Sequence, residues 1–194
     1  MSSVRQKVAL QFIVSNLALV ANFVLTIVLA RLLSPQDIGI FSMSAVLMAV
    51  AHVFRDFGVT SFIKREKELT PDSLSSALGV LLITSWSVAA LMFLSAPYWA
   101  HFFHEARVVP VVQVLALGFV FIPFGAIPMA IISREMDVKK SATLRSVATV
   151  VYFGDSVGQA LAGFGPMTMA WPNLNNTLVH GAMARRALGR QLRW

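Results

Sequence analysis

The 194-residue chain contains no cysteine, and only 13% of its residues are charged. The absence of cysteine excludes disulfides, zinc–thiolate sites and thiol chemistry. The shortage of charge excludes an ordinary soluble domain, because a chain that is 57% hydrophobic with a mean hydropathy of +0.71 cannot hide its apolar side chains in one core. Such a chain needs lipid as its solvent.

Three long stretches lack acidic residues, lysine and arginine, namely residues 8–30, 73–100 and 108–133. Each exceeds the roughly 20 residues that a helix needs to cross about 30 Å of hydrocarbon. The first stretch is too long for the apolar part of a signal peptide, about 7 to 15 residues, and no small-residue cleavage site follows it. We therefore expect the first helix to be retained in the protein.

The hydrophobic pattern as a whole predicts an all-α, polytopic membrane bundle with about six transmembrane helices. The expected helices cover residues 8–33, 35–63, 71–97, 108–133, 141–163 and 166–185. We expect residues 1–185 to form one six-helix transmembrane lobe. Residues 186–194 are then a basic cytoplasmic tail.

Two predicted helices begin with the same capping pattern, in residues 33–38 (LSPQDI) and 69–74 (LTPDSL). Each places Ser or Thr at the N-cap, proline at the first helical position and an acid in the first turn. Proline costs little there because the first helical N–H has no partner, and the flanking apolar residues can pack as a hydrophobic staple. In the fourth helix, Pro123 and Pro128 predict a kink or local unwinding.

The net charge of +7 would suit a nucleic-acid partner, but the basic residues sort by side of the membrane. With the N-terminus in the cytoplasm, thirteen of the sixteen Lys and Arg residues fall in cytoplasmic segments, and the outer loops hold only Arg31 and Arg107. This asymmetry is the positive-inside rule. We therefore predict cytoplasmic termini and no nucleic-acid partner, with the aromatic residues of 98–103 at the outer interface.

Polar and small residues recur on one face of three predicted helices at the helical period. These faces include Gln11 and Asn22 in helix 1, His52 and Asp56 in helix 2, and Tyr152, Asp155 and Gln159 in helix 5. One interpretation is helix packing through small and hydrogen-bonding residues. The other is a water-filled cavity that accepts a polar head group, since ionisable residues inside a membrane usually face a cavity. The sequence alone leaves both open.

Arg55 and Asp56 interrupt an otherwise apolar stretch, roughly 12 Å from the cytoplasmic end of predicted helix 2. Arg55 can extend towards the surface, but Asp56 is too short and needs a partner. His52 is one turn away on the same face. Two roles remain for this group, a structural one at the cytoplasmic end of the lobe and, for Arg55, contact with a substrate phosphate.

Asp155 falls near the middle of predicted helix 5. A carboxylate inside a membrane is a candidate proton or sodium site in a coupled transporter, and the alternative is a structural pair with Arg55 or Arg145. The HFFHE segment at 101–105 has neither spacing of a zinc hydrolase, and no phosphate-binding loop follows a strand. We predict no catalytic residues, no metal site, no cofactor and no enzyme activity.

Five segments carry a resemblance to a known family. They read ARLLSPQDIGIFSM, FRDFGVTSFIKREKELT, FFHEARVVPVVQVLAL, IISREMDVKKSATLRSVATVV and ALAGFGPMTMAW. In this order and spacing they resemble the N-terminal half of the oligosaccharide flippase (polysaccharide transporter) family, whose superfamily includes multidrug and toxic-compound extruders. The resemblance covers nearly all of this chain but only about half of a two-lobed family member.

The resemblance implies movement of a lipid-diphosphate-linked saccharide across the bacterial cytoplasmic membrane during assembly of lipopolysaccharide O-antigen, capsule or exopolysaccharide. It implies membrane lipids as surroundings and a second lobe as partner, supplied by another chain or by a homodimer. Asp155 stands where the family pattern usually has a small or apolar residue. Two alternatives remain, a cation-coupled multidrug extruder lobe and a non-transporting membrane fragment.

Overall fold

The computed structural model describes residues 4–55, 71–134 and 138–188, and the regular structure within those ranges is entirely helical. Its helices are α1 (Val4–Leu32), α2 (Pro35–Arg55), α3 (Pro71–Phe103), α4 (Val108–Arg134), α5 (Val138–Leu161) and α6 (Met167–Leu188). The predicted all-α bundle is confirmed. The expected last turns of helix 2, from Asp56 onwards, lie outside the described residues, as do the first two residues of the second capping motif.

The turn between α1 and α2 has the predicted capping geometry. The backbone N–H of Asp37 donates to Ser34 Oγ at 3.1 Å, and the Ser34 hydroxyl donates to Asp37 Oδ2 at 2.6 Å. Leu33 is buried in the same apolar cluster as Ile38, so the hydrophobic staple is also present. These local contacts start α2 at Pro35 and reverse the chain within a short turn.

Besides the prolines that begin α2 and α3, prolines lie inside three of the helices. The prediction that helix 3 stops near Pro97 is wrong, since α3 continues to Phe103 with Pro97 on its exposed face. The sequence predicts a kink or local unwinding around Pro123 and Pro128. The helix α4 is not unwound there, because it is helical throughout Val108–Arg134. Membrane helices tolerate proline because neighbouring groups satisfy the carbonyls that it leaves free.

The turn between α5 and α6 depends on two glycines in the left-handed region. The N–H of Gly163 donates to the carbonyl of Ala160 at 3.1 Å, and the N–H of Phe164 donates to the carbonyl of Gln159 at 3.2 Å. This is the Schellman pattern, and it requires the positive φ of 78° that Gly163 has. Gly165 follows with a φ of 56° and leads into α6.

Helix α4 is central in the bundle. It packs against α2, α3 and α6, and its Val111, Leu115 and Phe119 are buried in the largest apolar cluster. On the far side, α6 packs against α5 and α5 packs against α1. The α4–α6 contact is close, because a Cβ added at Gly125 would lie 2.8 Å from the Cα of Gly181. Small residues permit such backbone contact between membrane helices.

Four helices are long and apolar enough to cross a membrane, judged by length and composition in the described part of the chain. These stretches are Gln11–Leu32, Pro35–Phe54, Ser75–Phe103 and Val108–Ile132. Helices α5 and α6 fall short because both carry charged and amide side chains along their length. That α5 and α6 also span the membrane remains a prediction.

Candidate functional site

The polar residues of α5 meet α6 rather than a cation. The Gln159 amide donates from Nε2 to Asp155 Oδ1 at 2.8 Å, and the Asn175 amide donates from Nδ2 to Asp155 Oδ2 at 2.7 Å. Both carboxylate oxygens therefore accept an amide hydrogen bond in a partly buried position. Among the described side chains, Arg145 forms no ion pair with Asp155, and the side chain of Arg55 is not described.

We use the name α5–α6 seam for six polar residues of these two helices, of which Asp155 and Asn175 are bonded across the contact: Asp155, Ser156 and Gln159 of α5 and Thr168, Asn175 and Asn176 of α6. Five buried side-chain atoms in the described residues have no hydrogen-bond partner, and four of them belong to this set: Ser156 Oγ, Gln159 Oε1, Thr168 Oγ1 and Asn176 Oδ1. Buried polar atoms are costly without partners. The seam is therefore suited to polar guests such as water, an ion or a head group.

Asn175 is a site residue that the sequence analysis missed. A signal for it existed, because Asp155 and Asn175 are equally far in sequence from Gly165 in the connecting turn. Two antiparallel helices joined by a short turn bring such positions to the same level. If α6 is a helix antiparallel to α5, the equal distance of Asp155 and Asn175 from the turn predicts that they pair.

Tyr152 lies at the edge of the seam. It packs against the cluster formed by Leu25 and Leu29 of α1, while Asp155 and Gln159 on the same helix meet α6. The predicted face of helix 5 is therefore divided between two neighbours.

The predicted polar face of helix 1 does not join the seam. Asn22 is exposed, and its amide donates to the carbonyl of Ala18 at 2.9 Å within the same helix. The hydroxyl of Thr26 likewise donates to the carbonyl of Asn22 at 2.9 Å, and Gln11 lies half-buried near the other end of α1. The role of these groups in a cavity stays a prediction.

In helix 2, the ring of half-buried His52 lies 4.8 Å from the ring of Phe119, centroid to centroid. His52 therefore helps to join α2 to the apolar core of α4. The side chain of Arg55 and the whole of Asp56 lie outside the described residues. The predicted interaction between His52 and Asp56 therefore stays a prediction.

The three inter-helix connections at one end of the bundle meet at Asp37. Arg107 Nη1 donates to Asp37 Oδ1 at 3.3 Å, and Arg107 Nε donates to Glu105 Oε1 at 3.1 Å. A Cβ added at Gly165 would lie 3.4 Å from Asp37 Oδ1, so the α5–α6 turn touches the same carboxylate. Asp37, Glu105 and Gly165 thus share one end of the bundle as predicted, whereas its side of the membrane remains a prediction.

Charge pairing at this end perturbs two groups outside the membrane-spanning stretches. The hydrogen bond from Arg107 holds the pKa of the Glu105 carboxyl below its ordinary value of 4.5, and the hydrogen bond to Glu105 raises the pKa of Arg107. Gln36 Nε2 also donates to Glu105 Oε2, at 3.2 Å. The cluster links α2 to the α3–α4 connection by electrostatics, with no catalytic geometry.

Comparison with known proteins gives a consistent result. A family model described as polysaccharide biosynthesis protein matches residues 28–194. The lipopolysaccharide biosynthesis protein WzxC of Escherichia coli (strain K12) is 26% identical over 142 residues, which cover 73% of this chain and 28% of WzxC. An uncharacterized membrane protein in the cps region of Klebsiella pneumoniae is 25% identical over 146 residues, which cover 70% of this chain and 28% of that protein. No solved structure matches the chain.

Proposed function

Because the chain belongs to the polysaccharide biosynthesis protein family, we propose that it is part of a multi-pass transporter that moves a lipid-diphosphate-linked saccharide across the bacterial cytoplasmic membrane. The observation that carries this proposal is the α5–α6 seam, with its carboxylate, amides and unpaired buried oxygens beside apolar helices. A saccharide head group is polar, and it needs such partners at membrane depth. The proposed role is transport rather than catalysis.

One basic side chain favours a diphosphate-bearing substrate. Arg145 lies exposed on α5, the helix that carries Asp155 and Gln159. An arginine guanidinium matches phosphate oxygens in charge and geometry. Contact between Arg145 and the diphosphate would hold the lipid carrier while its saccharide enters the seam.

Asp155 supports both a coupling role and a second candidate function. As the acid of the seam, it can exchange a proton or a sodium ion with the solution as transport proceeds. A carboxylate of this kind also suits a cation-coupled multidrug extruder, whose substrates are often positively charged. The two functions differ in whether an anionic lipid-linked sugar or a cationic drug is moved.

A single bundle of this kind needs a partner for alternating access, in which two bundles rock about a site between them. The matched region covers only 28% of each relative, and the polar groups of α1 have no facing wall among the described residues. We therefore propose that transport requires a second copy or a separate second lobe. We also propose that both termini are cytoplasmic, as the distribution of Lys and Arg predicts, and outside labelling of a cysteine introduced at Lys67 would overturn that orientation.

Reconstitution in lipid vesicles tests the function and the partner requirement together. Single-molecule photobleaching sorts vesicles by copy number, and loss of a fluorescent lipid-diphosphate sugar from the outer leaflet reports flipping. We expect none with one copy, and flipping with two copies or after addition of a second lobe. Flipping by single copies refutes the partner requirement, and its absence in every arrangement supports a non-transporting fragment.

Asp155→Asn tests the coupling role without changing the size of the side chain. We expect this variant to stay folded but to lose the dependence of transport on an imposed proton or sodium gradient. The matched control is Glu105→Gln, which removes a carboxylate at the end of the bundle and should keep that dependence. An Asp155→Asn protein with unchanged gradient dependence would show that Asp155 is structural.

A further inference from the structure

An exposed apolar path runs along one face of α4. Leu117 and Phe121 are exposed, and half-buried Phe124 follows on the same face. Spacings of four and three residues place these side chains above one another along the helix. The path follows the predicted membrane-spanning part of α4 towards its C-terminal end.

A second exposed path on α6 converges with the first. Trp171, Leu178 and Arg185 are exposed and seven residues apart, so they occupy one face of α6. The guanidinium carbon of Arg185 lies 5.1 Å from the centroid of the Phe124 ring. The two apolar paths therefore meet beneath a positive charge.

The charge of Arg185 is not neutralised by any described side chain. The ion pairs among the described residues are those of Arg107 at the opposite end of the bundle. The last turn of α6 holds Arg185 and Arg186, and the first turn of neighbouring α5 contains no acidic residue. A guanidinium that is exposed and lies over an aromatic ring presents N–H donors to an anion.

We infer that this surface binds one anionic phospholipid, with its phosphate on Arg185 and an acyl chain along Leu178 and Phe121. Seven helical residues span about 10 Å, which falls within one leaflet of a hydrocarbon core of about 30 Å. The apolar path distinguishes this occupant from free phosphate, which has no chain to place there. The Phe124 ring holds the guanidinium in position before the lipid arrives.

The site goes beyond the proposed transport function and does not depend on it, because it lies on the outer surface of α4 and α6. Native mass spectrometry of the purified full chain, equilibrated with phosphatidylglycerol or phosphatidylcholine, counts bound lipids directly. We expect wild type to retain one phosphatidylglycerol in preference to phosphatidylcholine. Arg185→Gln should reduce that retention about fivefold, the effect of removing one basic contact near a membrane surface.

Arg186→Gln is the matched control, since it removes the same charge from the adjacent exposed position on another face of α6. It should retain phosphatidylglycerol as wild type does. Phe124→Leu provides a second test that keeps the charge, and it should weaken retention by removing the ring under Arg185. Equal losses for Arg185→Gln and Arg186→Gln, equal retention of both lipids, or displacement of the lipid by soluble phosphate would overturn the proposal.

Discussion

The α2–α3–α4 block and the α5–α6 pair both have buried apolar residues, but the pair also buries a group of polar side chains. The block buries Phe119, Leu115 and Val111 in one apolar cluster. The pair meets through Asp155 and Asn175 and leaves four buried polar atoms without partners. Close apolar packing leaves no room for a ligand, whereas unpaired buried polar atoms can bind water, an ion or a polar ligand.

We expect the α2–α3–α4 block to act as a rigid scaffold and the contacts of the seam to change when a ligand binds. Close packing makes the block resistant to deformation, so it holds the position of α6 through α4. The seam adds polar contacts to the apolar ones between α5 and α6, and under the proposed function its hydrogen bonds exchange for bonds to water or to the substrate. We therefore expect substitutions in the block to change stability and substitutions in the seam to change ligand response.

The largest effect should come from the boundary between the two regions. Gly125→Ala places a Cβ 2.8 Å from the Cα of Gly181, so the backbones of α4 and α6 must move apart. We expect a loss of about 1–3 kcal/mol in the free energy of unfolding, the usual cost of overpacking. Unfolding by increasing SDS in mixed micelles measures it.

Gly181→Ala is the control for this boundary. Its Cβ would lie 3.5 Å from the Cα of Gly125, which is ordinary van der Waals contact. The asymmetry predicts no loss in the free energy of unfolding for Gly181→Ala, and a gain of up to about 1 kcal/mol because alanine is favoured over glycine inside a helix. Equal losses for both variants would mean that the helices do not meet as the structure has them.

A smaller effect should follow from Asn175→Leu in the seam. This change leaves Asp155 Oδ2 without its 2.7 Å hydrogen bond, and we expect a loss of about 1–2 kcal/mol in the free energy of unfolding. Asn22→Leu on α1 should have almost no effect on unfolding, because the Asn22 amide is exposed and bonds only to its own helix. A stability loss for Asn22→Leu matching that of Asn175→Leu would remove the distinction between seam and surface.

The sequence predicted those features that depend on local rules. The capping of α2 follows from Ser34 and Asp37 within a few residues, and the long apolar runs correspond to helices. The sequence does not predict the end of α3. Proline usually ends a helix in water, but in lipid the backbone N–H and C=O groups have no water to bond, so the helix continues past Pro97.

The candidate site was only partly predictable for a different reason. Asp155 and Gln159 are one turn apart on one helix, so their proximity follows from helical periodicity. Asn175 belongs to another helix, and its contact depends on the length of the turn and on how α6 is rotated. The division of the helix 5 face between α1 and α6 likewise depends on tertiary packing, which periodicity does not specify.

Thermal stability should depend on pH through the cluster at Asp37, which Arg107 and the α5–α6 turn both contact. The pKa of Glu105 is lowered in the fold from its ordinary value of 4.5, so its interaction with Arg107 stabilises the fold above that pH. The contribution is lost as the pH falls through the folded-state pKa. We expect a small decrease in the thermal midpoint below pH 4.5, since the pair is at the surface.

The matched variant for this pH effect is Glu105→Gln, measured by the same thermal unfolding. It should lack the component that titrates below pH 4.5. The protection factors of amides in the α5–α6 turn, which correct for the slower intrinsic exchange in acid, should fall below pH 4.5 in wild type, because Gly165 lies against Asp37 in the same cluster. An identical pH profile for wild type and Glu105→Gln would show that the ion pair does not contribute.

The smallest effect concerns how each region ends a helix at this side of the bundle. In the seam, α5 is followed by Gly163, which has a positive φ. In the block, α3 is followed by His104, a non-glycine residue with a φ of 53°. The backbone pattern is the same, with the N–H of Glu105 donating to the carbonyl of Ala100 at 3.0 Å. His104→Gly relieves the left-handed strain, although the greater freedom of glycine in the unfolded chain offsets part of the gain. We therefore expect the free energy of unfolding to rise by less than about 1 kcal/mol.

The control is His101→Gly, inside the same helix, which should lower the free energy of unfolding by about 0.5–1 kcal/mol. If both variants lose stability in SDS titration, His104 contributes contacts that outweigh its backbone strain, and the block would then differ from the seam in its helix ends as well as in its packing.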